Sequence, residues 1–246
     1  MVKWMENITV ELLAEKLLQF GLTRQGATIY LCLLRNKELS GYEVSKLTGI
    51  SRSNVYSALA GLVDAGAAYL LEGVTSKYTA VSIEEFCQNR IRQLEQLKQE
   101  LVSWMPQVQE DVERYVTISG HRHIMDKIYN MLAQVEHRVY LSMPADYLDP
   151  FIPQFQQLVS EGKKVVLLTD RPLLEKIPGC IFYLTQNRDR QVKLIVDSSS
   201  VLTGEMNGDK TDTCLYCGQK NFVQVFKDSL RNEIRLIELT KGDNQI

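Results

Sequence analysis

Two short helical segments joined by a tight turn constrain this chain more than any other feature. Ser40 is a suitable N-cap for the first segment, and Glu43 three residues later completes a capping box. Gly49 supplies the permissive backbone that a tight turn needs, and Ser51 is placed to cap the second segment. The inward positions of the second segment fall at helical spacing: Val55, Leu59 and Leu62. The sequence therefore predicts a helix-turn-helix.

The flanking segments predict that this motif belongs to a larger domain of residues 1–81. A helix is expected from Thr9 to Phe20, and Thr23 is expected to cap the next one. The predicted inward positions of that helix and of the one after it are Ala27, Tyr30, Leu31 and Leu34, then Tyr42, Val44 and Leu47. Strand-like runs at 67–71 and 77–81 predict a β-hairpin. Helices, turn and hairpin in this order are typical of a winged helix-turn-helix.

The outward face of the second segment carries side chains suited to nucleic-acid recognition. Arginine can bind guanine, asparagine can bind adenine, and hydroxyl groups can bind bases or phosphates. The predicted DNA-binding residues are Ser51, Arg52, Ser53, Asn54, Tyr56 and Ser57, with Ser76 and Lys77 of the hairpin close to a neighbouring phosphate. The net charge of −2 gives this interpretation no support, so it depends on the pattern. A merely solvated face, or a surface for protein contacts, remains the alternative.

Residues 82–112 are predicted to form a linker and dimerisation helix. Apolar residues recur there at spacings of 3, 4, 3 and 4, which is a heptad seam: Leu94, Leu97, Leu101, Trp104 and Val108. Pro106 is expected to kink or end the helix. We therefore expect a homodimer formed through the 82–108 helix.

Residues 113–246 alternate between strand-like and helix-like patterns, which predicts an α/β domain with a mainly parallel sheet. Ser142 follows one predicted strand, and Asp170 and Arg171 follow another. Ligands of parallel sheets bind beyond the carboxyl ends of the strands. These three residues are therefore candidates for a small-molecule effector pocket, with ordinary polar strand ends as the alternative.

The five cysteines and the absence of a long apolar run limit the other classes of function. Without a secretion signal in Met1–Asn7, five scattered cysteines indicate reduced thiols in a cytoplasmic protein. Cys214 and Cys217 form a CxxC pair, which is compatible with packed thiols, a redox pair or half of a metal site. The sequence predicts no membrane segment, and we expect no cofactor or metal.

Residues 20–95 resemble the TrmB family of transcriptional regulators. The resemblance lies in Phe20–Thr23, Ala27–Tyr30, Ser45–Tyr56 and Lys77–Val81. It implies a dimer that binds operator DNA through this domain and responds to an effector, often a sugar, in the C-terminal domain. The wing tip, residues 73–76, has no arginine where family members are often basic.

Residues 118–240 resemble, more loosely, the phospholipase D-like effector domain of some bacterial members of the family. The matching points are Ile118–Gly120, the helix from Ile124 and the strand Arg138–Ser142. Catalysis in phospholipase D enzymes needs His-x-Lys, and no histidine of this chain has a lysine two residues later. The resemblance therefore implies the scaffold without that chemistry. We expect a regulator that is not an enzyme; a protein-interaction scaffold and a phospholipase D-type hydrolase are the alternatives.

Overall fold

The computed structural model describes residues 10–106, 114–185 and 190–243. The chain divides into two compact units, Met1–Val108 and Gln109–Ile246. Val108 of the predicted heptad seam and the predicted linker boundary at residue 112 lie outside the described residues. None of the helices in the described ranges combines the length and the apolar character that a bilayer crossing requires.

Helices surround a small sheet in the N-terminal unit. The helices are α1 (Val10–Gln19), α2 (Arg24–Arg35), α3 (Gly41–Thr48), α4 (Arg52–Asp64) and α5 (Ile83–Trp104), and the strands are β1 (Leu39–Ser40), β2 (Ala68–Leu71) and β3 (Lys77–Ala80). The strands are antiparallel in the order β1-β3-β2. The predicted hairpin and winged helix-turn-helix are confirmed, whereas the two-residue strand β1 was not predicted.

The turn and cap signals of the sequence determine where these helices begin. Thr23 accepts a hydrogen bond from the Gly26 N–H, and both bonds of the Ser40–Glu43 capping box are present. Gly49 has φ +73°, the left-handed conformation that a glycine adopts without strain. Ser51 occupies the N-cap position of α4, but its side chain makes no capping hydrogen bond. The predicted boundaries are confirmed, and only the bond expected from Ser51 is missing.

The buried faces of α2 and α3 differ from those predicted. In α2, Ile29 and Leu33 are buried together with Ala27 and Tyr30, while Leu31 is half-buried and Leu34 is exposed. In α3 only Val44 of the three predicted positions is buried, and Tyr42 and Leu47 are exposed. Helix α2 packs against α1, α3 and α4, so its buried arc is wider than a single stripe and centred elsewhere.

Tyr30 connects three elements at the centre of the N-terminal unit. Its side chain is fully buried, and its hydroxyl donates a 2.9 Å hydrogen bond to the carbonyl oxygen of Val81, directly after β3. Its ring centroid lies 5.7 Å from that of Phe86 in α5. Burial raises the pKa of Tyr30 to about 12, so the hydroxyl remains a donor at physiological pH. Tyr30 therefore fixes α2 against the end of the hairpin and the start of α5.

The C-terminal unit is built on one mixed sheet with the order β4-β10-β9-β8-β5-β6-β7 in the described residues. The strands are β4 (Val116–Ser119), β5 (Arg138–Ser142), β6 (Lys164–Thr169), β7 (Ile181–Leu184), β8 (Gln191–Val196), β9 (Ser200–Glu205) and β10 (Thr213–Cys217). The helices are α6 (His121–Ala133), α7 (Ala145–Leu148), α8 (Ile152–Ser160) and α9 (Lys220–Asp243), with a 3-10 turn at Asp149–Phe151. The predicted fold class, an α/β C-terminal unit after a winged helix-turn-helix, is confirmed.

The prediction of a mainly parallel sheet is wrong. Among the strands of the described residues, β5-β6 and β6-β7 are parallel and the remaining pairings of this sheet are antiparallel. The cause is connection length: residues 197–199 join β8 to β9, and a parallel connection needs a crossover of about a dozen residues or more.

Both faces of this sheet are covered. Alternate side chains such as Val139, Leu141 and Leu167 point to the face that packs with α6 and α8 in the main core. The intervening positions, among them Val166 and Ile195, point to the other face and pack with α9. The alternation along the strands therefore places α9 over the second face of the sheet, where it contacts β7, β8 and β9.

Asp197, in the β8–β9 turn, is hydrogen-bonded to the backbone at the start of β5. Its carboxylate accepts hydrogen bonds from the backbone N–H groups of Glu136, His137 and Arg138 at 2.7, 2.9 and 2.7 Å. Burial opposes ionisation, but these three donors outweigh it and hold the pKa of Asp197 below its ordinary value.

Candidate nucleic-acid interface

Side-chain hydrogen bonds fix the turn between α3 and α4. The Ser45 hydroxyl donates to the carbonyl oxygen of Ile50 over 2.7 Å. Thr48 Oγ1 donates to the carbonyl oxygen of Val44 over 2.7 Å and accepts from the Ile50 N–H at 3.3 Å. Together with the left-handed Gly49, these bonds set the angle at which α4 leaves α3.

Helix α4 has one buried and one exposed face. Val55, Leu59 and Leu62 are at most 1% exposed, which confirms the predicted inner face. The opposite face carries the predicted contact residues, and all of them are exposed: Ser51, Arg52, Ser53, Asn54, Tyr56 and Ser57. Ala60, one turn further along, is also exposed and adds little bulk. The fold therefore presents a short polar surface from the N-terminal half of α4.

The first turn of α4 leaves backbone donors open. No described residue accepts a hydrogen bond from the N–H groups of Arg52, Ser53 or Asn54. Such unsatisfied N–H groups lie at the positive end of the helix dipole. This end of α4 is therefore suited to binding a phosphate oxygen.

Two aromatic contacts order the exposed side chains where α3 and α4 meet. The guanidinium carbon of Arg52 lies 4.6 Å from the ring centroid of Tyr42, within the range of a cation–π contact. Gly41 leaves room for the ring of Tyr56, since a Cβ at position 41 would stand 2.6 Å from Tyr56 Cε1. Tyr42 was predicted to face inward; its position on Arg52 explains its exposure and adds it to the candidate surface.

The start of strand β3, at the base of the wing, lies beside the N-terminus of α3. Lys77 begins β3 and is paired in register with Ser40, the cap of α3. Its ammonium group lies 3.6 Å from Glu38 Oε2, so part of its charge is neutralised. Ser76 and the rest of the wing tip are exposed. Lys77 is therefore placed beside the helix-turn-helix, with less free charge than the sequence suggested.

The start of α2 forms a groove with α4 that was not among the predicted contact surfaces. Arg24 and Gln25, both exposed, line this groove opposite Asn54 and Ser57. The one available signal was the N-cap Thr23, which places Arg24 in the first turn of α2. Arg24 and Gln25 thus join the residues able to contact a ligand of α4.

The three predicted effector residues lie at the ends of β5 and β6, and two of them are engaged by other residues of the C-terminal unit. Ser142 is fully buried at the end of β5, and no described atom bonds its hydroxyl. Asp170 accepts from the Ala145 N–H at 2.9 Å, and this bond with its neighbours lowers the pKa of Asp170 although burial opposes it. Arg171 pairs with Asp146 and, at 2.9 Å, with Asp149. An effector role for these residues stays a prediction.

Cys214 and Cys217 do not form a pair. Both lie in β10, where residues three apart point to opposite faces at a Cα separation of roughly 10 Å, too far for a disulfide. Both thiols are buried and free, and burial raises the pKa of Cys214 to about 12. Among the described residues no group of three histidine, cysteine or acidic side chains is arranged to hold a metal ion.

Comparison with known proteins agrees with this geometry. Residues 17–84 match the family model described as the sugar-specific transcriptional regulator TrmB. We call this matched segment of the N-terminal unit the TrmB-type domain, because it is similar to that family. The matched range includes α2, the helix-turn-helix and the wing, which confirms the resemblance found in residues 20–95.

Two relatives extend the likeness beyond the TrmB-type domain. The chain is 21% identical over 233 residues to the uncharacterized protein YrhO of Bacillus subtilis, covering 91% of this chain and 85% of YrhO. It is 24% identical over 144 residues to the sugar-sensing transcriptional regulator TrmBL1 of Pyrococcus furiosus, covering 56% of this chain and 42% of TrmBL1.

Two solved structures are also similar. One is TrmBL2, an archaeal chromatin protein with a novel mode of DNA binding, at 21% identity over 92% of this chain and 98% of that chain, with a TM-score of 0.46. The other is NucT from Helicobacter pylori, at 12% identity over 50% of this chain and 96% of that chain, with a TM-score of 0.42.

Proposed function

We propose that this protein is a cytoplasmic transcriptional regulator that binds operator DNA as a homodimer and is not an enzyme. The observation that carries the proposal is the exposed polar face at the N-terminal half of α4, inside the TrmB-type domain. In a recognition helix, the residues at this end contact base edges in the major groove. The two copies of α4 in a dimer would then read half-sites one DNA turn apart, roughly 34 Å.

The predicted contact residues of α4 carry groups that fit different parts of DNA. Arg52 can bind guanine through two N–H groups, and Asn54 can bind adenine in the same way. The Ser53 and Ser57 hydroxyls and the Tyr56 ring flank them on the exposed face. Ser51, Ser76, Lys77 and the open N–H groups of α4 are assigned to the phosphate backbone, which positions the domain without reading sequence.

Helix α5 is the proposed dimerisation element. Leu94, Leu97, Leu101 and Trp104 are between 48% and 74% exposed and share one face at heptad spacing. Exposed apolar residues in a continuous stripe indicate an interaction surface. A parallel or antiparallel pairing of two α5 helices would cover this stripe.

The C-terminal unit is proposed to bind the effector, a sugar or another small metabolite. TrmBL1 is described as sugar-sensing, and the matched family model as sugar-specific. An effector changes DNA binding only if it binds one dimer geometry more tightly than another. The sign of regulation follows from which geometry the effector favours.

Gel-shift assays with DNA from upstream of the protein's own gene, at physiological salt with competitor DNA, test this function. We expect a competitor-resistant complex that the Arg52→Ala, Asn54→Ala variant loses, since one good base contact contributes about 1–3 kcal/mol. The matched control is Arg122→Ala, Asn130→Ala, which removes the same two residue types from the exposed face of α6.

Three outcomes would contradict the proposal. Equal binding by the wild type and the α4 variant would exclude α4 as the recognition helix. A folded dimer that selects no fragment from a genomic library would favour the protein-interaction scaffold. Hydrolysis of a chromogenic phosphodiester by the purified protein would show that the phospholipase D-type alternative is right.

A further inference from the structure

A cleft between the sheet and α9 in the C-terminal unit has the features of a ligand site. One wall of this cleft is the face of the sheet that points away from the main core. Arg138 and Tyr140 alternate along β5, and Lys164 and Val166 along β6, so these four side chains point to the α9 side. Because β5 and β6 are parallel with Arg138 paired to Lys164, the two cations stand side by side at the edge where both strands begin.

Helix α9 faces these strands with a second row of cations. Lys227, Arg231 and Arg235 recur every four residues, and Leu230 and Ile234 lie between them on the same helical face. The apolar residues of this face pack on the sheet, while the cationic residues line the cleft above the packing. The alternation of the strands and the period of the helix thus bring cations to both walls.

The charge of the cleft is opposite to that of the chain. Its lining holds five cationic side chains and one carboxylate, whereas the whole chain carries −2. The carboxylate, Glu238, accepts a 2.7 Å hydrogen bond from the Tyr183 hydroxyl. Arg231 is paired with Asp228. Within the described residues the side chains of Arg138, Lys227 and Arg235 make no hydrogen bond or ion pair. The cationic side chains of the cleft thus outnumber the carboxylates beside them, which favours an anionic ligand.

The floor of the cleft is apolar, and its size fits a small molecule. Its volume is about 410 Å³, within the range of 300–1,000 Å³ that is typical of small-molecule sites. The floor is formed by Tyr140, Val166, Tyr183, Ile195, Leu230 and Ile234. A nucleic-acid backbone needs cations on a surface but gains nothing from apolar residues beneath them. The combination favours a ligand with an apolar body and an acidic group.

We propose that this cleft binds a small anionic metabolite. Arg138, Lys227 and Arg235 hold its phosphate or carboxylate group, and its apolar or aromatic body packs on the floor that includes Tyr140 and Ile195. As the effector site of a regulator it rests on the function proposed above; as a binding site it does not. It lies at the strand edge opposite Ser142, Asp170 and Arg171, since β5 and β6 begin at the cleft.

The test uses a fluorescent probe of matching chemistry, 1-anilinonaphthalene-8-sulfonate, and its uncharged analogue N-phenyl-1-naphthylamine. Both are titrated into the full-length protein without DNA. The Arg138→Gln, Lys227→Gln, Arg235→Gln variant should bind the sulfonate at least about tenfold more weakly and the neutral analogue as well as the wild type does. The control, Arg122→Gln, Lys176→Gln, Lys210→Gln, removes the same charge from exposed positions elsewhere in the unit.

A second variant distinguishes loss of the ligand site from loss of the fold. Ile181→Trp places a larger ring at the mouth of the cleft, on a side chain that is 40% exposed, and should weaken binding of both probes while the circular dichroism spectrum is unchanged. Unchanged sulfonate affinity in the triple variant, or the same loss in the control, would overturn the proposal. Charge-dependent probe binding by a protein that selects no DNA would contradict the regulator function and leave the ligand site standing.

Discussion

The ring of Tyr56 in α4 lies so close to Gly41 in α3 that no side chain fits between them: a Cβ on residue 41 would stand 2.6 Å from Tyr56 Cε1. Gly41 is buried, and Tyr56 is half-exposed on the face proposed to meet DNA. The smallest residue of one helix thus determines where an exposed aromatic ring of the next one lies.

Replacing Gly41 by alanine should therefore weaken DNA binding without unfolding the protein. The added methyl group pushes only the end of an exposed side chain, so we expect the free energy of unfolding to change by less than about 1 kcal/mol. Displacement of the Tyr56 ring should lower operator affinity about five- to tenfold in the gel shift, on the order of one lost contact. Gly61→Ala in α4 is the control: a Cβ there meets nothing within 4 Å, and it should stabilise the helix by about 0.5–1 kcal/mol. Wild-type affinity of the Gly41 variant would contradict this assignment.

The apolar stripe of α5 gives a test of the homodimer. Leu97→Glu together with Leu101→Glu places two charges in the proposed helix pair and should convert the dimer to a monomer in sedimentation equilibrium. Gln96→Glu with Gln99→Glu adds the same charge outside the stripe and should leave the mass unchanged. A dimer that survives the leucine substitutions, or a wild-type monomer, would show that α5 does not mediate assembly.

Asp197 should make the stability of the C-terminal unit depend on acid pH. Its folded pKa is below the unfolded value of about 4, so its contribution is complete above that value and is lost as the pH falls through the folded pKa. Asp197→Asn retains a residue that tolerates the positive φ of +48°. Its single uncharged oxygen can still accept from His137 and Arg138, but its amide nitrogen cannot accept from Glu136.

We expect this variant to lose about 1–2 kcal/mol at pH 7, measured by urea unfolding, and less at pH 3. Asp126→Asn, on a side chain that is 62% exposed, should change neither value. Equal losses for Asp197→Asn at both pH values would mean that packing, and not the carboxylate charge, accounts for the effect.

The buried CxxC cysteines should be inert while the protein is folded. The thiolate is the reactive form, and a pKa of about 12 leaves almost none of it at Cys214 at pH 8. Alkylation by iodoacetamide, mapped by mass spectrometry, should modify Cys214 and Cys217 only after denaturant is added. Treatment with diamide should not join them. A disulfide between these two residues in the folded protein would restore the redox interpretation.

Local chemistry allowed much of the N-terminal unit to be predicted. Caps, turn glycines and the inner face of α4 depend on residues a few positions apart, and Ser40, Gly49 and Val55 were assigned correctly on that basis. The two-residue strand β1 is too short for any periodicity, and its pairing with β3 depends on residues that lie far apart in the sequence. The phase of α2 was wrong because three helices pack around it.

In the C-terminal unit the elements were predicted but their arrangement was not. Strand patterns do not specify pairing direction, and the short β8–β9 and β9–β10 connections were the available signs of antiparallel pairs. The expectation that ligands bind where parallel strands end led to Ser142 and Asp170. The cleft beneath α9 depends on which face of the sheet Arg138 and Lys164 share with a helix at the far end of the sequence.

The pairing of Ser40 with Lys77 has a consequence for how an effector can act. The strand that starts at Lys77 is paired with the residue that caps α3, so the base of the wing is connected directly to the start of α3. We therefore expect a signal from elsewhere in the proposed dimer to move the wing and α3 together, and neither of them alone. Such a signal would change the distance between the two winged helix-turn-helix domains of the proposed dimer. Regulation should therefore appear as a changed tolerance for the number of base pairs between half-sites, with the preferred bases within each half-site unaltered.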